Sequence, residues 1–176
     1  MRMYLGLGSN LGDSKKYLQK AISRINTFPN IKGIKKSSIY QSKALEVNSP
    51  QNDYLNMVIS FVIPDFQDNY QSANSLWKFL SSIEKSLGRK RIYFHEPRTI
   101  DIDILIYGKL KVNNQLIIPH PRVIHRLFVL EPMLEVINQL TTKKSAITEI
   151  EILLGLDNIN QRIFELKQIQ DCQRLS

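Results

Sequence analysis

The stretch EPRTIDIDILIYG, residues 96–108, decides the fold. From Ile100 onward it alternates. Ile100, Ile102, Ile104 and Ile106 share one parity, and Asp101, Asp103, Leu105 and Tyr107 share the other. A period of two is the mark of a half-buried strand. Within that strand the aspartates are out of place, because aspartate is depleted in strands. Residues i and i+2 also project from the same side, roughly 7 Å apart at Cα, so the two carboxylates repel each other. A strand that keeps such a pair needs something cationic between them.

Working outward from this strand, the segment NSLWKFLSSIEKSLG (74–88) places Leu76, Phe79, Leu80, Ile83 and Leu87 at helical spacing and closes on Gly88. A basic loop, 89–98, joins that helix to the aspartate strand. Further upstream, YLNMVISFVI (54–63) is predicted as a strand, SKALEVNSPQND (42–53) as a polar loop, and residues 32–41 as another strand. Leu18, Ala21, Ile22 and Ile25 predict a helix capped by Asp13 or Ser14, after a first strand RMYLGLG (2–8). The order β-α-β-β-α-β is the split βαβ of a ferredoxin-like α+β sandwich. A short strand near 115–118 and helices near 131–138, 145–154 and 159–170 are expected after it, with no linker to mark a second domain.

Composition fits a single folded domain. The chain has 176 residues, 43% hydrophobic and 23% charged, which argues against wholesale disorder. No apolar run reaches the ~18 residues of a membrane span, and the first residues lack a signal-peptide core. The lone Cys172 excludes an internal disulfide and a cysteine-built zinc site. A soluble cytoplasmic protein is the expectation, without membrane or nucleic acid as partner. The net charge of +8 suits nucleic acid, an acidic small ligand or a merely soluble surface. The cluster Arg89, Lys90, Arg91, Arg98 is more pointed because it abuts the aspartate pair, and His95, His120 and His125 fall in the same third of the chain.

Hard divalent cations such as Mg²⁺ take one or two protein carboxylates and complete their shell with phosphate oxygens, which is the chemistry Asp101 and Asp103 suit. The alternative is a solvated strand face. Arg89, Arg91, Arg98 and Arg126 are candidates to clamp phosphate oxygens. On the strand 54–63, Tyr54 and Asn56 share a face opposite Leu55 and Met57. A buried asparagine amide can match the edge of a heterocycle, and an adjacent aromatic can stack on it, although a purely structural role is as natural. The turn GLGSNLG (6–12) matches neither the dinucleotide loop nor the P-loop, since its glycines are wrongly spaced and no Gly-Lys-Ser/Thr follows.

The segments GLGSNLGD, DYLNMV, IEKSLGR, PRTIDIDIL, IPHPR and RLFVLEPM resemble, in order and spacing, the 6-hydroxymethyl-7,8-dihydropterin pyrophosphokinase family over residues 3–138. The resemblance implies a ferredoxin-like α+β fold, two Mg²⁺ ions, and ATP as co-substrate. It implies transfer of pyrophosphate from ATP to the hydroxymethyl group of a reduced pterin, with release of AMP, in folate biosynthesis. By the same resemblance Asp101 and Asp103 are the metal ligands and Asn56 reads the pterin edge. Tyr54 and Phe128 sandwich the ring, and backbone groups near Ser42 and Leu45 add hydrogen bonds. Glu84 and His120 resemble nucleotide contacts, with Arg91 and Arg126 as helpers. Arg89 and Arg98 resemble the loop arginines that engage the phosphates during transfer. A monomer is expected, with residues 1–140 as the catalytic domain and 141–176 as a helical extension packed on it.

The sequence departs from the family in three places. Phe94, His95 and Glu96 replace the usual Arg-Trp-Gly, which makes Phe94 the expected lid; SKALEVNSPQ replaces a proline-rich loop; and the tail is longer than usual, with residues 156–176 expected to be dispensable for chemistry. Two other classes compete. A ferredoxin-like RNA-binding module would use sheet aromatics and basic loops, but an acidic pair on its sheet would repel phosphate. A phosphotransferase would move only the γ-phosphate.

Overall fold

A computed structural model describes residues 2–44, 50–90, 96–141 and 143–175. Leu45, Arg91, Phe94 and His95, to which the sequence assigns roles, lie outside the described residues. The first strand, β1 (Arg2–Ser9), leads to α1 (Ser14–Ile25), whose N-cap Asp13 accepts a hydrogen bond from the Lys16 amide. The segment expected as one strand at 32–41 is two, β2 (Lys32–Lys36) and β3 (Tyr40–Ser42), which pair along different parts of β4 (Tyr54–Val62). Helix α2 (Tyr70–Ser86) starts earlier than its apolar spacing suggests, because the Asn69 side chain caps it by accepting from the Ser72 amide. The aspartate strand is β5 (Asp101–Tyr107).

A short hairpin of β6 (Val112–Asn113) and β7 (Ile117–Ile118) follows, then α3 (Leu127–Asn138), α4 (Lys143–Leu154) and α5 (Ile159–Lys167). The extension is not wholly helical. It ends in β8 (Cys172–Arg174), which pairs antiparallel with β3 and joins the main sheet in the order β5-β1-β4-β3-β8. Periodicity missed β8 because three residues of mixed polarity carry no alternation to read.

The sheet is covered on both faces, which completes the sandwich. Leu18, Ala21 and Ile25 of α1 and Leu76, Leu80 and Ile83 of α2 pack on Met3, Leu5, Ile59, Phe61, Ile102 and Ile104. On the opposite face Leu130, Met133 and Val136 of α3 pack on Tyr4, Val58 and Leu105, and Ile150, Ile159 and Leu166 extend that core under α4 and α5. No described helix is long and apolar enough to cross a membrane.

One irregularity corrects the reading of β5. Its register against β1 pairs Tyr4 with Ile106 and Leu5 with Ile104, so Leu105 is the extra residue of a β-bulge. Ile106 therefore leaves the isoleucine face and joins Leu105 under α3, while Tyr107 turns into the core beneath α1 and α2. The Leu105 carbonyl accepts the His120 amide at 2.9 Å, which ties the segment after β7 to the middle of β5.

Burial predicts how two isoleucines differ. Ile104 is 3% exposed and Ile152 is 71% exposed. Urea denaturation should show Ile104→Ala losing about 2–5 kcal/mol and Ile152→Ala staying within about 0.5 kcal/mol of the parent.

Candidate active site

The sheet register sets out the site. Asp101, Gly8, Asn56 and Tyr40 stand opposite one another across four strands, and Asp103, Gly6 and Val58 form the next row. These rows face α3. Gly6 and Gly8 put bare backbone between the aspartates and Asn56, so the floor there is flat. A Cβ on Gly8 would sit 3.1 Å from Asn56 Oδ1, and one on Gly6 would meet the Leu105 methyls at 3.2 Å. Spacing against nucleotide motifs gave these glycines no role. Their alternation within a strand, at positions 6 and 8, is the signal that marks them as floor.

Two cavities adjoin the aspartate pair. The first, about 550 Å³, is lined by Ser42, Tyr54, Asn56, Phe128 and the two glycines. The second, about 680 Å³, is lined by Glu84, Arg89, His120, Trp77 and Ile117. Asp101, Asp103, Arg98, Arg122 and Arg126 belong to both. The candidate residues that are described therefore come together, sorted into two chambers that meet at the aspartate pair.

In the first chamber Asn56 is buried and donates from Nδ2 to Ser42 Oγ at 3.0 Å, which fixes its amide. Phe128, near the start of α3, has the Arg126 guanidinium over its ring at 5.6 Å. Arg98 lies similarly over Tyr54 at 5.7 Å. The turn after β1 holds the Arg98 backbone. Its amide donates to Asn10 Oδ1 at 2.8 Å, and its carbonyl accepts from the amides of Asn10 and Leu11. The loop GSNLG is thus a clamp on Arg98 rather than a phosphate cradle.

The two carboxylates differ sharply. Asp101 Oδ1 pairs with Arg89 and Oδ2 with Arg98, each at 2.6 Å. Burial opposes ionisation, but the two guanidinium groups prevail and keep the Asp101 carboxyl below the ordinary carboxylate range. Asp103 has only distant partners among the described residues, Arg126 at 3.8 Å and His120 at 3.9 Å. Desolvation and the neighbouring Asp101 charge push it up to about 6. The cation demanded by the sequence is thus arginine on one side, and the other carboxylate is undercompensated.

Glu84 sits at the end of α2 and is buried. Its Oε1 accepts the Ile102 amide at 2.7 Å and pairs with Arg89. It joins helix to strand and aims Arg89 at Asp101. His120 Nδ1 accepts the Arg122 amide at 3.1 Å, so its proton sits on Nε2, on the side of Asp103. Burial and the charges of Arg126 and Arg122 lower its pKa to about 4, so near neutral pH it is a neutral N–H donor.

Among the described residues no group of three or more His, Cys, Asp or Glu side chains could hold a metal. That donor set does not suit a protein-enclosed ion. Two hard oxygen ligands, one of them short of positive charge, suit Mg²⁺ delivered with a phosphate-bearing ligand.

The sequence model of the family described as 7,8-dihydro-6-hydroxymethylpterin-pyrophosphokinase (HPPK) matches residues 4–138. The folic acid synthesis protein fol1 of Pneumocystis carinii is 38% identical over 135 residues, 76% of this chain and 17% of its own length. The bifunctional protein FolKE of Lactococcus lactis subsp. cremoris is 35% identical over 77% of this chain and 37% of its own. The chain thus spans well under half of these two relatives. The 2-amino-4-hydroxy-6-hydroxymethyldihydropteridine pyrophosphokinase of Bacillus subtilis is 35% identical over 137 residues, 77% of this chain and 78% of its own.

The unequal carboxylates predict unequal variants. In magnesium-free urea denaturation at pH 7, Asp101→Asn should lose about 1–3 kcal/mol, because two partly buried guanidinium groups lose their anionic partner. Asp103→Asn should be neutral or stabilising. A folded-state pKa raised to about 6 means that ionised Asp103 opposes folding above that pH. Equal losses would contradict the assignment.

Proposed function

The chain belongs to the 7,8-dihydro-6-hydroxymethylpterin-pyrophosphokinase family; we propose that it transfers pyrophosphate from ATP to the hydroxymethyl group of 6-hydroxymethyl-7,8-dihydropterin, releasing AMP, in folate biosynthesis. The observation that carries the proposal is the aspartate pair on the wall shared by two chambers. One chamber suits a flat heterocycle and the other a nucleotide.

In this proposal the pterin lies on the glycine floor. Asn56, fixed by Ser42, hydrogen-bonds its edge, and Tyr54 and Phe128 cover its faces. The backbone near Ser42 adds a polar contact. ATP occupies the second chamber, with His120 donating from Nε2 and with Arg126 near its phosphates. Asp101 and Asp103 would hold magnesium, which supplies charge neutralisation on the triphosphate when bound. Two ions are part of this proposal.

The arginines have a second task. Arg89 and Arg98 occupy Asp101 here, and an arriving triphosphate offers them better bidentate partners. They then move from carboxylate to phosphate, freeing Asp101 oxygens as the nucleotide enters. Glu84 is a positioning residue that keeps Arg89 at this junction. Catalysis is placement of the hydroxyl in line with the β-phosphorus together with preorganised positive charge. A cytoplasmic monomer acting on small molecules, without nucleic acid or membrane as partner, completes the proposal.

The test is incubation with Mg-ATP and 6-hydroxymethyl-7,8-dihydropterin. AMP and a pyrophosphorylated pterin are expected. ADP would mean γ-phosphate transfer, and neither product would overturn the reading. Calorimetry on Asn56→Ala should show pterin binding weakened by about 1–3 kcal/mol, through the unpaired groups left behind, and nucleotide binding unchanged.

A further inference from the structure

We propose that the end of the C-terminal extension, which the family match leaves out, is part of the pterin site, with Gln170 as the residue that positions the Arg126–Phe128 turn. The inference rests on the reading of the first chamber as the pterin site. The family match ends at residue 138, yet Ile169 and Gln170 line that chamber.

Helix α3 begins at Leu127, and its N-cap Arg126 makes no side-chain capping bond. The helix N-terminus leaves backbone N–H groups without intrahelical partners. Gln170, far along the chain, supplies what the local sequence lacks. Its Oε1 accepts the Leu127 amide at 2.9 Å, and its Nε2 donates to the His125 carbonyl at 2.7 Å. A single side-chain amide thus grips the backbone on both sides of Arg126. Arg162 of α5 adds to the grip, donating to the Ile124 carbonyl at 2.6 Å and bonding His125 Nδ1 at 2.8 Å.

The same segment reaches the opposite wall. β8 begins two residues after Gln170 and pairs Cys172 with Ser42 on β3. The extension therefore links the Arg126–Phe128 wall to the Ser42 wall across one short stretch of chain. Between them Ile169 is 75% exposed while lining the chamber. An apolar side chain left open beside a cavity gains burial when a flat ring enters. The expectation that residues 156–176 are dispensable for the chemistry is replaced by this one.

Three variants test it: Gln170→Ala, Ile169→Asp, and Phe164→Ala as a control on the exposed face of α5. Pterin affinity is measured by titration in the presence of a non-hydrolysable Mg-ATP analogue, alongside KM, kcat and Tm. Gln170→Ala and Ile169→Asp should each weaken pterin binding about 5- to 10-fold, the loss of roughly one hydrogen bond or apolar contact. Their KM for pterin should rise in step, with Tm close to wild type, and Phe164→Ala should match wild type throughout. Unchanged pterin affinity in both site variants overturns the inference. So does a fall in Tm with KM unaltered, which would make Gln170 a fold residue only. The two readings separate in the wild type: pterin binding without AMP formation defeats the proposed reaction alone, whereas no pterin binding defeats both.

Discussion

The like charges of Asp101 and Asp103 on β5 are the constraint around which the rest is arranged. Their repulsion is relieved unequally. Arg89 arrives from the end of α2, aimed by Glu84, and Arg98 from a loop gripped by Asn10. Both spend their charge on Asp101. Asp103 keeps its distance from Arg126 and His120 and is raised toward the protonated form. Such a pair costs stability in the free protein and gains most from an incoming cation. Functional sites often carry a local cost of this kind.

The sheet works as a ruler. Adjacent strands lie about 4.8 Å apart, so Asp101 and Asn56, separated by the single strand β1, face the same cleft at roughly 10 Å. Gly8 between them keeps that gap clear. In the proposed reaction, a ring held by Asn56 would lie about one strand spacing from the carboxylates, and its substituent could approach them without either group moving. The bulge at Leu105 completes the second chamber, because its carbonyl anchors the His120 segment.

Much of this was legible in the sequence. Helical spacing located α1 and α2, because each buries one regular face, and the apolar runs and alternation located β1, β4 and β5, which lie in a sheet covered on both sides. The aspartate pair was visible because carboxylates do not belong in such a strand. The bulge was hidden, since both Leu105 and Ile106 are apolar and either parity reads as buried. The capping by Asn69 lies outside the apolar periodicity and was missed. The pairing of Arg89 and Arg98 with Asp101 depends on where the fold places these two residues, which local sequence does not encode. Gln170 could not be found either, since its partners are backbone atoms that exist as a site only after α3 and α5 are packed. The glycines at 6 and 8 do not fit a phosphate-loop spacing, and their meaning lies in the parity of the strand that contains them.

In the proposed reaction, nucleotide and carboxylates would be joined through a divalent cation where the two chambers meet. Calorimetric titration of a non-hydrolysable ATP analogue, with and without magnesium, into wild type and Asp103→Asn tests it most directly. Wild-type affinity should rise at least about tenfold with magnesium, a coupling of about 1.4 kcal/mol, and the variant should lose that difference. Equal affinity in wild type with and without the ion, or a magnesium effect that survives in Asp103→Asn, would contradict the account.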